Sequence, residues 1–153
     1  MRAHFGAAVE SAIAGALPAA WAASPLAEIL LLDQFTRNIF RGTPRAFAGD
    51  ARALVLARRM VAGGADAALD AVERAFVYLP FEHAEDPASQ DESVRLFTAL
   101  AAADARQDSS LDYAHRHRDV IRRFGRFPHR NAILGRASTA EEGAYLAQPG
   151  SGF

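Results

Sequence analysis

Cysteine is absent from the chain. Its absence excludes disulfides, thiolate zinc sites, iron–sulfur ligation and a cysteine nucleophile. Lysine is absent too, so all 17 basic residues are arginine. No Schiff base can form on a lysine amine, and contact with an anion falls to Arg, His or backbone N–H groups. Neither sign of charge dominates: a formal net charge of -1 sets up no global field that would draw nucleic acid or an anionic membrane. The arginines are interspersed with acids and form no basic stripe with aromatics, which excludes nucleic acid as a partner. Long apolar runs are missing as well. The aliphatic stretch from Ile29 to Leu32 is far short of the ~20 residues that span a bilayer. The start, Met1-Arg2-Ala3-His4-Phe5, lacks the apolar run of a signal peptide. These absences predict a cytoplasmic protein without a membrane partner. No Walker loop, G-x-S-x-G elbow or Rossmann glycine fingerprint occurs, and no cofactor is predicted.

What is present is a globular, helix-forming composition. Half of the 153 residues are hydrophobic and 23% are charged, which suits one domain, residues 1–153, with its own core. Alanine, leucine, arginine and glutamate abound, and no run alternates at period two long enough to make a strand. The pattern predicts helices over 2–17, 25–41, 50–63, 67–79, 89–103 and 110–124, a short helix opened by Pro128, and a last one towards Leu146. Ser24, Asp50 and Ser138 are the expected caps, the last in a capping box with Glu141. Pro80 is expected to stop or kink the fourth helix. The fold class is therefore all-α, with short connections that imply antiparallel helical hairpins.

Three segments carry polar groups suited to chemistry. At about 100° per residue, the second helix puts Leu31, Leu32, Phe35 and Ile39 in one sector and Asp33, Gln34, Arg37, Asn38 and Arg41 in the opposite one. Asp33 and Arg37 have pairing spacing, as do Gln34 and Asn38. The face reads either as a solvated surface or as a recognition surface, since amides beside two arginines suit hydrogen bonding to a ligand. The second segment, Tyr78 to Asp86, follows a proline with one histidine and three carboxylates. Glu82, Glu85 and Asp86 fit a capping and salt-bridge cluster. Alternatively, His83 with Glu85 fits acid–base work. No H-E-x-x-H or Glu-x-x-His pair of the di-iron type is present, so no metal is predicted. In the third segment Gly125 ends one helix and Pro128 starts the next. Arg126, His129, Arg130 and Asn131 crowd that turn and favour an anion, unless the arginines staple helix ends to internal carboxylates. His117 reads as a buried, hydrogen-bonded histidine on the face of Ile121.

Together the runs Leu30 to Thr43, Tyr78 to Asp86, and His117 to Ile121 with Phe124 to Arg136 resemble the signatures of the bacterial domain-of-unknown-function 924 family, over nearly the whole chain. Thr36 stands where the family usually has proline, and Ala84 where it usually has serine. The resemblance implies a compact superhelical bundle similar to tetratricopeptide repeats, and it implies no activity. Relatives typically carry a further N-terminal segment rich in Trp and Phe, whose loss would bare apolar surface near the first helix and favour self-association.

These readings converge on a polar pocket. Asp33, Gln34, Arg37, Asn38, Arg41, His117, Arg126, Arg130 and Asn131 are the expected ligand-binding residues. His83, His129 and Glu85 are the expected acid–base groups. The expected partner is a small anionic molecule or an acidic group of another protein. The rival reading is a helical scaffold for protein interaction.

Overall fold

A computed structural model describes residues 1–152, the side chain of Ala22 excepted, and among these it contains helices, turns and loops but no strand. The all-α expectation holds. α1 spans Arg2–Ile13 and α2 spans Ala19–Ala22. α3 is one continuous helix in three parts: Pro25–Ile29, a π-helical stretch Leu30–Phe35, and Thr36–Ile39. Then follow α4 (Asp50–Ala62), α5 (Ala71–Glu82), α6 (Pro87–Ala103), α7 (Asp108–Phe124) and α8 (Ala140–Leu146). Short 3-10 turns join them, including Pro44–Phe47 and Pro128–Arg130.

Local chemistry explains most boundaries. Ser24 accepts the Ala27 N–H, and Pro25 occupies the first turn, where its missing N–H costs nothing. Asp86 accepts the Ser89 N–H at 2.9 Å with Pro87 behind it, so α6 starts two residues earlier than expected. Gly125, at φ 71°, ends α7 in the left-handed conformation that costs glycine least. Two caps differ from expectation. The box at the start of α8 is Thr139 with Glu142, one residue beyond Ser138 and Glu141. Ser138 instead accepts a hydrogen bond from Asn131. The residue capping α4 is Gly49, and Asp50 is already inside the helix. Pro80 does not end α5, which runs on to Glu82; only one backbone donor is lost to the ring.

α4, α5, α6 and α7 pack each on the next. A large apolar cluster holds Ile29 of α3, Met60 of α4, Val77, Tyr78 and Phe81 of α5, and Phe97 and Leu100 of α6. A second cluster joins Val9 and Ala12 of α1 to Leu31 and Leu32 of α3 and Ala53 of α4. Each fully buried leucine here contributes about 1.5–3 kcal/mol. A third, smaller cluster sets Val120 and Ile121 of α7 against Phe127. α3 thus feeds two cores from neighbouring turns, and this fixes its rotation. Gly49 locks it further: a Cβ at this position would overlap the Leu32 backbone carbonyl, so only glycine lets the start of α4 lie this close to α3.

Candidate functional site

The π-helical stretch places Asp33. In it, backbone bonds run from i to i−5, and the Thr36 N–H closes on the Leu31 carbonyl. The Thr36 hydroxyl donates to the same carbonyl at 2.8 Å. Thr36 therefore adds a side-chain hydrogen bond to the backbone bond that closes the wide turn. Asp33 is 1% exposed, and three side chains donate to its carboxylate. Oδ1 lies 2.7 Å from His83 Nδ1 and 2.9 Å from Arg37 Nη1, and Oδ2 accepts from Gln34 at 2.6 Å. Burial alone would raise its pKa, but the charge and hydrogen bond of His83, then Arg37 and Gln34, prevail and hold it at about 2. An ionised Asp33 only accepts, so His83 Nδ1 must carry the proton. In a neutral imidazole that tautomer leaves Nε2 as the basic nitrogen.

A second carboxylate is set by Gly49. Asp50, in the first turn of α4, takes both terminal nitrogens of Arg37 at 2.7 and 2.9 Å. Arg130 completes this wall. Its Nη1 stands 3.5 Å from Asp50 Oδ2, and its Nη2 donates to the His83 carbonyl at 3.0 Å. Its guanidinium lies between the rings of Phe47 and Phe127, 4.7 and 4.5 Å from their centroids. Burial lowers the Arg130 pKa to about 10, which still leaves it charged at neutral pH. Its Nε is buried without an acceptor, an incomplete pairing of a kind that is rare for a buried donor.

Behind His83 sit two more buried groups. Glu82 Oε1 is 3.2 Å from His117 Nδ1, which also donates to the Tyr113 carbonyl at 2.9 Å. Burial, reinforced by the negative charge of Asp33, pushes Glu82 up to about 8. Burial pulls His117 down to about 3. The contact is thus between two neutral groups and is not an ion pair. Burial and the nearby Arg130 charge bring His129 to about 4, so it is neutral as well.

These groups border a cavity of about 430 Å³, with Arg37, Arg41, His83, His117, His129 and Arg130 on its polar side and Phe47, Leu79, Tyr113 and Ile133 on its apolar side. Gln34 also lines it. Seven of the residues singled out in the sequence therefore share one cavity wall, with Asp33 directly behind. The others lie elsewhere. Asn38 is exposed and does not line the cavity. Glu85 holds Arg136 through two bonds of 2.7 and 2.8 Å and accepts the Phe127 N–H at 2.7 Å, so it fastens the end of α5 to the 127–136 segment. Arg126 clasps Glu142 at 2.6 and 2.8 Å. Asn131, 1% exposed, is tied to Ser138, Glu142 and Arg136. Arg126 thus pairs with an internal carboxylate, as in the alternative reading of the third segment, while Glu85 and Asn131 hold the same segment through bonds of their own.

Four contributors were missed in the sequence. Nothing in the local pattern of Phe47 or Tyr113 marks a cavity wall, and Asp50 reads as a cap. Gln90, fully buried, donates to the Glu82 and Ala84 carbonyls at 2.6 and 2.8 Å. It thereby ties down the chain on both sides of His83, and no local pattern announces it.

Among the described residues no three His, Asp or Glu side chains gather in a geometry that would hold a metal ion, and no helix is long and apolar enough to cross a membrane. The model of a family described as bacterial protein of unknown function (DUF924) matches residues 1–150. A solved structure of a protein of unknown function from Agrobacterium tumefaciens is 42% identical, with a TM-score of 0.85 over 95% of this chain and 81% of that one. No curated protein matches the chain.

Proposed function

The chain belongs to the DUF924 family of bacterial proteins of unknown function, and from that premise we propose that it binds a small anionic molecule in the cavity beside Asp33 and His83, where this pair can move a proton. One observation carries the reading. His83, held from behind by the buried Asp33, stands on the wall of the same cavity that Arg37, Arg41 and Arg130 border. A buried aspartate that orients an imidazole leaves the other ring nitrogen to exchange a proton with whatever fills the space. The arginines would hold a carboxylate or phosphate and neutralise charge that develops on it. We place the whole chain in one cytoplasmic domain. His83 is the proton carrier in this scheme, with Asp33 as its positioning residue. His129 is at the cavity as a neutral hydrogen-bonding group. Glu85, Arg126, Asn38 and Asn131 have no place in it.

The test uses the intact chain and inorganic phosphate. Phosphate should raise the melting temperature saturably beyond a chloride control of equal ionic strength. In nitrogen-resolved NMR it should move the Nε2 resonance of His83 while Nδ1 stays protonated. Arg41→Gln, at an exposed position, should weaken the effect without unfolding the protein. A phosphate response no larger than that of chloride, with His83 unmoved, would remove the reading.

A second reading rests on a different place. The succession α4 to α7, in which each helix packs on the next, is compatible with a tetratricopeptide-like superhelix. An open groove of about 540 Å³ between α4 and α6, bordered by Arg58, Val61, Phe81 and Arg95, would suit a scaffold that receives a peptide. Fold analogy is a weak warrant for function. The groove also lacks the buried charged constellation of the cavity, so the ligand-binding reading is preferred.

A further inference from the structure

We infer that the molecule bound in the cavity is a monocarboxylate with an apolar body, its carboxylate drawn to the excess guanidinium of Arg41 and its body laid against Phe47, Leu79 and Ile133. The inference rests on the anion-binding reading above and narrows it to one chemical class.

Charge comes first. Three guanidiniums, Arg37, Arg41 and Arg130, border the cavity. Two carboxylates answer them. Asp33 and Asp50 both pair with Arg37, and Asp50 also faces Arg130. The remaining titratable neighbours add nothing: burial keeps Glu82 protonated and His117 and His129 neutral at pH 7. His83 aside, one positive charge is left over. Arg41 carries it, exposed at the rim and engaged by no carboxylate of the described residues within 4.0 Å. One excess charge matches one carboxylate. A nucleotide triphosphate or a tricarboxylate would bring several negative charges against Asp33 and Asp50, and like charges in a partly dry site repel strongly.

Shape and polarity come second. A single anionic group uses a small part of about 430 Å³, a space that would otherwise hold roughly a dozen waters at ~30 Å³ each. Phe47, Leu79 and Ile133 are half-buried and face this space without polar atoms. Phe47 is also held in place, since Arg130 and Arg37 lie 4.7 and 5.7 Å from its ring centroid. Water on these side chains gains little, and an apolar ligand that displaces it gains by burial. The arrangement is amphipathic. A charged rim and a hydrogen-bonding histidine wall face apolar residues, which suits an acid whose non-polar part is an aromatic ring or a short alkyl chain.

Calorimetric titration of the intact chain with sodium benzoate, hexanoate, acetate, phosphate and citrate tests this. Benzoate or hexanoate should bind saturably and about tenfold or more tighter than acetate, as expected when several methylenes or a ring leave water. Arg41→Gln should weaken hexanoate binding about fivefold or more. Ile133→Ser should reduce the preference for hexanoate over acetate. If phosphate or citrate binds as tightly as hexanoate, the anion site stands and the apolar monocarboxylate is wrong. If no anion binds at all, the anion site itself is absent and both readings fall.

Discussion

Asp33 and His83 are fifty residues apart in the chain, and Oδ1 of one lies 2.7 Å from Nδ1 of the other. Each is held by a separate irregularity. Asp33 sits in a π-helical stretch. His83 lies just past the end of α5, where Gln90 and Arg130 take up the carbonyls that the helix leaves open. The pair is therefore fixed from both sides before any ligand arrives, which is the preorganisation that proton transfer requires.

Replacing Asp33 with Asn keeps the shape and removes the charge. The folded pKa of Asp33 lies below the ordinary 3.8, at about 2. Its contribution is therefore fully present above pH ~4 and is lost as the pH falls through 2, amounting to about 2 kcal/mol. Asp33→Asn should lower stability at pH 7 by that order and flatten the acid limb of the stability curve between pH 4 and 2. Chemical denaturation across this range measures both. An unchanged acid limb would mean that Asp33 is not the ionised hub described here.

Glu82 should act in the opposite direction. Its folded pKa is raised from 4.5 to about 8 by burial and by Asp33. The folded state thus holds a proton that the unfolded chain has released, and stability falls as pH rises from 4.5 to 8. Glu82→Gln keeps a neutral group in place. It should match the parent near pH 4 and exceed it at pH 8 by on the order of 2–4 kcal/mol, or roughly 4–16 °C in melting temperature. His117, depressed by burial to about 3, works the other way, because its contribution is lost as pH falls from 6.5 towards 3. Differential scanning calorimetry of parent and variant at pH 5 and pH 8 decides the point, and an equal offset at both pH values would show Glu82 to be ionised throughout.

Gly49→Ala adds one methyl group where the Leu32 carbonyl leaves no room. α4 must then move away from α3, at a cost of about 1–3 kcal/mol. Asp50 moves with α4, so its paired bonds to Arg37 should lengthen. The variant is expected to stay helical by circular dichroism, to melt lower, and to lose phosphate stabilisation although no cavity-lining side chain has changed. A variant as stable as the parent, with the phosphate response intact, would show that the approach of the two helices is not set at this residue.

Much of this was legible in the sequence, for a physical reason. Helix formers, caps and breakers act over a few residues, so the helices from Ser24, to Gly63 and to Gly125 could be read directly. Asp33 and Arg37 stood out on a polar helix face, His83 beside carboxylates and Arg130 in a basic turn, and the fold brings these four together. The partners were not legible. Whether Arg126 faces a ligand or Glu142, and whether Glu85 serves chemistry or Arg136, depends on contacts between segments up to fifty-one residues apart. Single-residue offsets were also hidden. Thr139 and Ser138 are equally good caps, and the choice follows from Asn131, which takes the Ser138 hydroxyl. Asp50 carries the side chain of a cap, but the close approach at Gly49 moves it one position into the helix and turns its carboxylate towards Arg37.

The π-helical stretch of α3 alters the spacing of its residues as well as their contacts. A helical wheel drawn at constant pitch assigns Asn38 to the same face as Asp33 and Arg37, yet Asn38 points away from the cavity while Gln34, Arg37 and Arg41 line it. The extra residue in the turn offsets everything after it by about 100° from its place on such a wheel. Pro25–Ile29 is keyed to one core through Ile29, and Thr36–Ile39 leads to the second through Phe40. The stretch between them works as a phase coupler. Removing a single residue from it would restore a regular helix and leave the two flanking halves on the faces they now present, so the change would fall on the wide turn itself, where Asp33 sits. A deletion there would therefore leave a better-formed helix with both cores still engaged, while Asp33 would lose the wide turn that now presents it to His83.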